Sequence, residues 1–292
     1  MGNGLETFRL IIGGKAVDAV SGKTFQSQNP YPGQPWAELA DGGPEDVDLA
    51  VQSARSAFEG EWGPRPASSA PRSCASRRRD LGQRRAAGAA GGPRLRQGDA
   101  GDARPAQGPG NWYLYISGLA DKLEGKTVPA MAPQTYFGYT VREPVGVVAA
   151  ITPWNSPLLL LTWKLAPVLA AGCTCVAKPS EHSPASAAAS AEVLYEAGLP
   201  AGVFNVVTGL SRETGAALAG HPGVDKIAFT GSAATGLGGQ GRRRQRQLGH
   251  PSSWGGKSPQ VVFPTPPWTR PPNGVVAGVF AATGRPAWPA RG

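Results

Sequence analysis

Four short segments in the middle of the chain carry residue types that could act together on a phosphorylated, sugar-bearing ligand. They are Thr152-Pro153-Trp154-Asn155, Lys178-Pro179-Ser180-Glu181, Gly209, and Phe229-Thr230-Gly231-Ser232 with Gly236 beyond it. The run from Gly231 to Gly236 reads as a glycine turn between a strand and a helix start, which exposes backbone N–H groups to a pyrophosphate. Lys178 could donate to ribose hydroxyls. The Glu181 carboxylate could accept from them and would repel a 2′-phosphate, favouring NAD over NADP. Asn155 offers a side-chain amide of the kind that stabilises an oxyanion. Taken singly, each has a plainer reading: a glycine turn is more often only a turn, Lys178 and Glu181 are solvated charges, and Asn155 is a turn residue.

The elements that must position these residues are legible from Val145 onward. Val145 to Ile151 is an apolar run suited to a buried strand, and residues 158–171 are helical in composition and stop at Gly172. Cys173 to Ala177 reads as a second strand. Ser183 followed by Pro184 reads as an N-cap and first-turn pair opening an Ala-rich helix that ends at Gly198. Val203 to Val207 predicts a third strand, Ser211 to Ala219 a third helix, and Lys226 to Phe229 a fourth strand. Strands alternating with helices over short connections imply right-handed crossovers, hence a doubly wound parallel α/β sheet. Ligands of such sheets sit beyond the carboxyl ends of the strands, and the four segments above occupy those ends.

Composition narrows the function classes. The net charge of +9 raises the question of a nucleic-acid partner. The charge is concentrated, however: residues 64–109 hold ten Arg against Asp80, Asp99 and Asp102, and residues 237–254 add Arg242, Arg243, Arg244 and Arg246 with no acid. The rest of the chain is slightly acidic. Both stretches are rich in Gly, Pro, Ala and Arg, without helical or strand period, and lack interleaved aromatics, so neither nucleic acid nor membrane is an expected partner. A third unusual patch, Thr265 to Pro272, carries four Pro with Trp268 and Arg270. The most apolar stretch, Leu158 to Ala171, is interrupted by Lys164 and Pro167 and is too short to cross a bilayer. The N-terminus has no signal-peptide pattern, and Glu6 stands where a myristoylation signal wants Ser or Thr. Three cysteines, Cys74, Cys173 and Cys175, form no disulfide framework and no zinc pattern. Packing is the favoured role for Cys173 and Cys175, ahead of metal or redox chemistry, and a cytoplasmic location is expected.

In order and spacing, five motifs resemble the aldehyde dehydrogenase superfamily: Pro153-Trp154-Asn155-Ser156-Pro157, Trp163-Lys164-Leu165-Ala166-Pro167, Lys178-Pro179-Ser180-Glu181, Phe229-Thr230-Gly231-Ser232 and Gly255-Gly256-Lys257-Ser258-Pro259. The similarity extends to Asn29-Pro30, Asp46 to Trp62, and Trp112 to Pro129. The resemblance implies NAD(P)-dependent oxidation of a small-molecule aldehyde to a carboxylic acid through a cysteine thiohemiacetal and thioester. It implies that Thr152, Pro153, Trp154, Lys178, Ser180, Glu181, Gly209, Phe229, Thr230, Gly231, Ser232 and Gly236 contact NAD, with NADP the other dinucleotide of the family, and that Asn155 serves the oxyanion. It further implies an NAD-binding domain over residues 1–125 and 145–255, an oligomerisation arm over 126–144 that would support a homo-oligomer, and a truncated start of the catalytic domain over 256–292.

Two catalytic groups of the family are missing as the chain is written. The water-activating Glu precedes Leu-Gly-Gly-Lys in the family, a position held here by Ser253 ahead of Trp254, and the nucleophilic Cys corresponds to Ala287. A methyl group cannot replace a thiolate. Synonymous codons for Pro286 to Gly292, read from the third base of Pro286, spell Cys-Met-Ala-Gly-Ser-Arg, the family's nucleophile motif. The same shift at Ser252 to Gly255 restores Glu-Leu-Gly, and a one-base shift across Ala90 to Gln107 gives a family-like helical segment. The expectation is therefore that local frame shifts produced the unusual stretches. The competing expectation is a non-catalytic remnant that binds a dinucleotide and turns nothing over.

Overall fold

The computed structural model describes residues 5–29, 33–63, 107–129, 136–210, 212–232 and the backbone of 252–254. Most of both Arg-rich stretches, Gly236, Ala287 and the patch from Thr265 to Pro272 lie outside the described residues.

Strands β1 (Glu6–Phe8), β4 (Thr24–Gln28) and β5 (Pro35–Ala40) form a small sheet in the order β1-β5-β4. Strands β2 (Leu10–Ile12) and β3 (Lys15–Val17) make a hairpin across Gly13 and Gly14, whose φ of 61° and 77° is the left-handed pair that a two-residue turn of matching twist requires. Beyond helix α1 (Pro44–Ala57), a π-helical segment (Phe58–Trp62) and helix α2 (Gln107–Ser117), a two-stranded ribbon pairs β6 (Thr127–Val128) with β7 (Gly138–Tyr139). The alternating region follows: β8 (Val147–Ile151), α3 (Pro157–Ala170), β9 (Thr174–Lys178), α4 (Ala185–Glu196), β10 (Phe204–Val206), α5 (Arg212–Gly220), β11 (Lys226–Gly231) and β12 (Ser252–Trp254).

These strands build one seven-stranded sheet in the order β12-β11-β8-β9-β10-β2-β3. The five strands from β12 to β10 are parallel, as the alternation predicts. The hairpin adds to β10 antiparallel, so the sheet is mixed at that side. This departs from a wholly parallel sheet because β2 needs no crossover: its ladder edge is supplied by a chain segment far upstream. Along β8 and β9, side chains alternate between two cores. Val148, Ala150, Cys175 and Ala177 join Leu161, Leu165 and Leu194 on one face, while Val147, Ala149 and Val176 join Val47, Val51 and Leu218 on the other. Both faces are thus covered, which explains why these strands read as unbroken apolar runs.

Helix ends fall where the glycines predict. Cys173 N–H reaches Val168 O and Gly172 N–H reaches Leu169 O, with Gly172 at φ 80°. Leu199 and Gly198 repeat this arrangement on Leu194 and Tyr195. Each satisfies the last carbonyls of its helix through a left-handed glycine. The start of α4 differs from expectation. Its cap position is Pro184 with no side-chain cap, and the Ser183 hydroxyl instead donates to Trp154 O at 3.0 Å. Ser183 therefore ties α4 to the loop after β8.

The chain runs outward from β8 to β9 and β10, then returns to the far side of β8 as β11. Asp225 fixes that return. Its backbone N–H donates to Val147 O, its carboxylate accepts from Val147 N–H at 2.7 Å, and the Arg55 guanidinium of α1 pairs with the same oxygen. A Cβ on Gly146 would collide with this carboxylate. Asp225→Ala is expected to lower stability by about 2 to 3 kcal/mol, since it leaves a backbone donor and a half-buried guanidinium without their acceptor. Chemical denaturation of the variant against the parent checks this, and a loss within error would contradict it.

Candidate functional site

Reversal of strand order between β8 and β11 leaves the loops at their carboxyl ends diverging, the position at which doubly wound sheets accept ligands. Parallel register brings the predicted segments to this edge together. Ile151 pairs with Lys178 and with Phe229, and Thr230 is opposite Ser253. Thr152 follows β8 directly, its N–H bonded to Lys178 O at 3.2 Å. Lys178 is the last residue of β9 rather than a loop residue, and Gly209 lies in the loop after β10. Pro153, Ser180, Gly231 and Ser232 occupy the same four strand ends, whereas Gly236 and Ala287 lie outside the described residues.

Asn155 sits half-buried between β8 and α3, just before Ser156, which has φ 54°. Ser156 is the one non-glycine residue in the left-handed region among the described residues, a conformation that costs on the order of 1 kcal/mol or more. Pro157 then starts α3 at its first turn, where a missing N–H is harmless. The strained turn lets the chain pass from β8 into α3 within a few residues, with Asn155 held at the crevice and Trp154 exposed beside it.

Lys178 is buried at the edge, its ammonium 3.7 Å from Glu181 Oε2. Burial pulls the Lys178 pKa below the ordinary lysine value, opposed by the charge and hydrogen bond of Glu181 and by the charge of Asp41. At Glu181, burial disfavours the carboxylate, but its own backbone N–H, Lys178, His182 and the Ser180 hydroxyl outweigh this and hold the carboxyl below its ordinary range. Ser180 Oγ lies 3.4 Å from Glu181 Oε2 and also accepts from His182 N–H at 3.3 Å. An ammonium anchored in the wall beside a half-exposed carboxylate is a donor and acceptor pair matched to vicinal hydroxyls. This donor set fits the ribose of a dinucleotide. The glycines are accounted for differently: a Cβ on Gly209 would lie 2.7 Å from Gly42 O and 3.0 Å from Thr214 Oγ1, and one on Gly231 would meet the Phe229 ring at 2.6 Å. Close packing against backbone requires the glycine at 209 whether or not a ligand is bound, whereas at 231 the obstacle is the Phe229 ring alone. Thr152 Oγ1 is buried at this edge with no hydrogen-bond partner among the described residues.

Lys164, which the sequence marks as an interruption of an apolar helix and as part of the Trp163–Pro167 motif without assigning it a role, belongs to this edge. Its ammonium reaches from α3 to Thr230 Oγ1 at 2.5 Å, joining the helix that follows Asn155 to the end of β11. Burial lowers its pKa to about 8, partly opposed by Cys175. Cys173 and Cys175 are buried and unbonded, and burial pushes the Cys175 thiol well up, which suits packing and not nucleophilic chemistry. Among the described residues no group of His, Cys, Asp and Glu could hold a metal ion, and no helix is long and apolar enough to cross a membrane.

Because Lys164 binds its proton more weakly folded than unfolded, the unfolded chain holds more protons between about pH 8 and pH 10.5. Folding stability from this residue therefore rises with pH across that window. Lys164→Met is expected to remove the rise, on the order of 1 to 3 kcal/mol in denaturation free energy measured across the window. An unchanged slope in the variant would contradict the assignment.

The geometry agrees with what known proteins share with the chain. The sequence model of the Aldehyde dehydrogenase family matches residues 17–289. An aldehyde dehydrogenase of Enchytraeus buchholzi is 41% identical over 271 residues, covering 89% of this chain and 53% of that protein. Aldehyde dehydrogenase family 2 member C4 of Arabidopsis thaliana is 41% identical over 269 residues, covering 87% and 52%. The NAD+ complex of an aldehyde dehydrogenase from Bacillus cereus superposes with a TM-score of 0.80 at 34% identity, covering 97% of this chain and 58% of that one. The chain spans about half the length of the curated relatives it matches. With the family match running through nearly all of its residues and the parallel sheet reproduced in solved members, the chain belongs to the aldehyde dehydrogenase family.

Proposed function

We propose that this chain is the nucleotide-binding part of an NAD-dependent oxidoreductase that converts an aldehyde to a carboxylic acid. The observation that carries the reading is the meeting of Asn155, Lys178, Glu181 and the end of β11 at one carboxyl edge, where the strand order reverses. NAD bound there supplies the hydride acceptor. Lys178 and Glu181 hold the ribose hydroxyls, Trp154 and the ends of β8 and β11 bound the crevice, and the Asn155 amide stabilises negative charge on the aldehyde oxygen. Thr152, Pro153, Ser180, Gly209, Phe229, Thr230, Gly231, Ser232 and Gly236 belong to the same cofactor site. The domain division is proposed to follow: residues 1–125 and 145–255 bind the nucleotide, and 256–292 begin a catalytic domain. The ribbon of β6 and β7, with exposed Phe137 and Tyr139, forms part of an arm that joins subunits. The low cysteine count, three in the chain, is what supports a reducing, cytoplasmic location in this reading.

The polypeptide as written is proposed to bind NAD without oxidising aldehydes, because Ser253 and Ala287 stand at the positions of the water-activating Glu and the nucleophile. The parallel pairing of Ser253 with Thr230 supports this alignment, since it sets position 253 on the same sheet edge as the cofactor segments. Local frame shifts account for both replacements. The intact mass of the natural protein and resequencing across residues 252–255 and 284–292 separate an active enzyme with Glu and Cys from a binding remnant. Confirmation of every base would reject the frame-shift account.

Titration calorimetry tests the binding site. The parent chain is expected to take up NAD, Lys178→Met to weaken binding by about tenfold through loss of a charge-assisted donor, and Glu181→Gln to narrow the preference for NAD over NADP. Equal affinities for NAD across the parent and Lys178→Met would reject the assignment.

A further inference from the structure

Lys164 is an amine that neither the ribose pair nor the oxyanion amide uses. It stands in the middle of α3, where the residues one turn away on its helix face are Leu160, Leu161 and Val168. The side chain is half-buried, and its nitrogen has two hydrogen-bond partners, Thr230 Oγ1 at 2.5 Å and the Leu160 carbonyl oxygen at 3.5 Å. Both partners are neutral. Among the described residues Lys164 forms no ion pair, whereas Lys178 lies 3.7 Å from Glu181 Oε2 and the exposed Lys122 lies 2.7 Å from Asp121 Oδ1. Cys175 is the one titratable group that acts on Lys164, and burial keeps its thiol protonated, so it brings no negative charge at neutral pH.

An ammonium desolvated on an apolar helix without a counter-ion releases its proton readily, and the amine left behind is a nucleophile toward carbonyl carbon. We propose that Lys164 is an aldehyde-capture site, whose free amine condenses reversibly with a small aldehyde to an imine beside the Thr230 hydroxyl. The nitrogen lone pair forms the C–N bond while the carbonyl electron pair moves to oxygen. One amine proton passes to that oxygen, for which the Thr230 hydroxyl stands within hydrogen-bond reach of the nitrogen. The new hydroxyl then departs as water with the second amine proton, leaving C=N. Nothing is oxidised or reduced, and no thiol is consumed. The lowered pKa of about 8 supports the geometry, since about a tenth of Lys164 is then free amine at pH 7, far more than of an exposed lysine. Capture by Lys164 goes beyond the oxidation of aldehydes and depends on neither NAD nor the residues at 253 and 287.

Propanal with cyanoborohydride, which delivers hydride to an imine and leaves a stable propylated amine, tests this on the full chain, with each lysine read by peptide mass spectrometry. At pH 7 Lys164 is expected to be modified about tenfold more than the exposed Lys122 and Lys126, and this ratio is expected to fall above about pH 8 as exposed lysines lose their protons. Thr230→Asp sets a carboxylate beside the ammonium and is expected to bring Lys164 down to the level of Lys122 at pH 7. Modification of Lys164 no greater than that of Lys122 in the parent at pH 7 would overturn the proposal. So would a ratio that does not change with pH, a readout that stands even where Thr230→Asp fails to fold. Parent-like modification of Lys164 in folded Thr230→Asp would overturn the role assigned to the missing counter-ion.

Discussion

Everything at the crevice depends on β8 being buried on both faces at the point where the strand order reverses. Its side chains are small or branched and apolar, with Val147 and Ala149 on one side and Val148 and Ala150 on the other. Such a strand can only be the interior of a sheet, because its backbone needs partners along both edges and its side chains need helices above and below. With β9 on one edge and β11 on the other, the loops at their carboxyl ends cannot close over one another. The Asp225 carboxylate locks this arrangement at the opposite end by completing the ladder to Val147 and drawing in Arg55 from α1. A rigid base and an open rim are thus two consequences of one packing constraint.

The rim carries its charges under tension between burial and pairing. Lys178 and Lys164 are each disfavoured in their charged forms by burial, and each is held by a neighbour: Glu181 and Asp41 for the first, the Thr230 hydroxyl for the second. Ammonium groups fixed in this way lose little further freedom on meeting a ligand, which is how a site gains affinity from pre-organisation. Surface lysines with the same net charge would not provide it.

The alternating region was readable because each of its signals is local. Apolar runs of strand length, glycines one residue past the helix ends and Pro157 at a helix start specify β8 to β11 with errors of one or two residues. Lys178, Glu181 and Asn155 were legible for the same reason, since strand ends follow from strand positions. What escaped the sequence is long-range. Nothing near Leu10 announces that β2 pairs with β10, nothing near Ser183 announces its bond to Trp154 O, and nothing near Asp41 announces Leu210, which is 169 residues away. Lys164 gave a partial signal, as one charge in an apolar helix, but its partner on β11 becomes visible only when the sheet is assembled. At Gly209 the Gly42 carbonyl, from a segment far upstream, stands where a Cβ would need room, a further long-range contact that the sequence does not announce.

The central claim is that the carboxyl edge of this sheet is a dinucleotide site even though positions 253 and 287 hold Ser and Ala. Hydrogen–deuterium exchange of the chain as written, with and without NAD, tests it most directly. The account predicts slowed exchange at residues 152–156, 178–182, 207–210 and 229–236, with the base of the sheet around Val147 and Asp225 unaffected. Protection at the β6–β7 ribbon alone, or no change at saturating NAD, would contradict it.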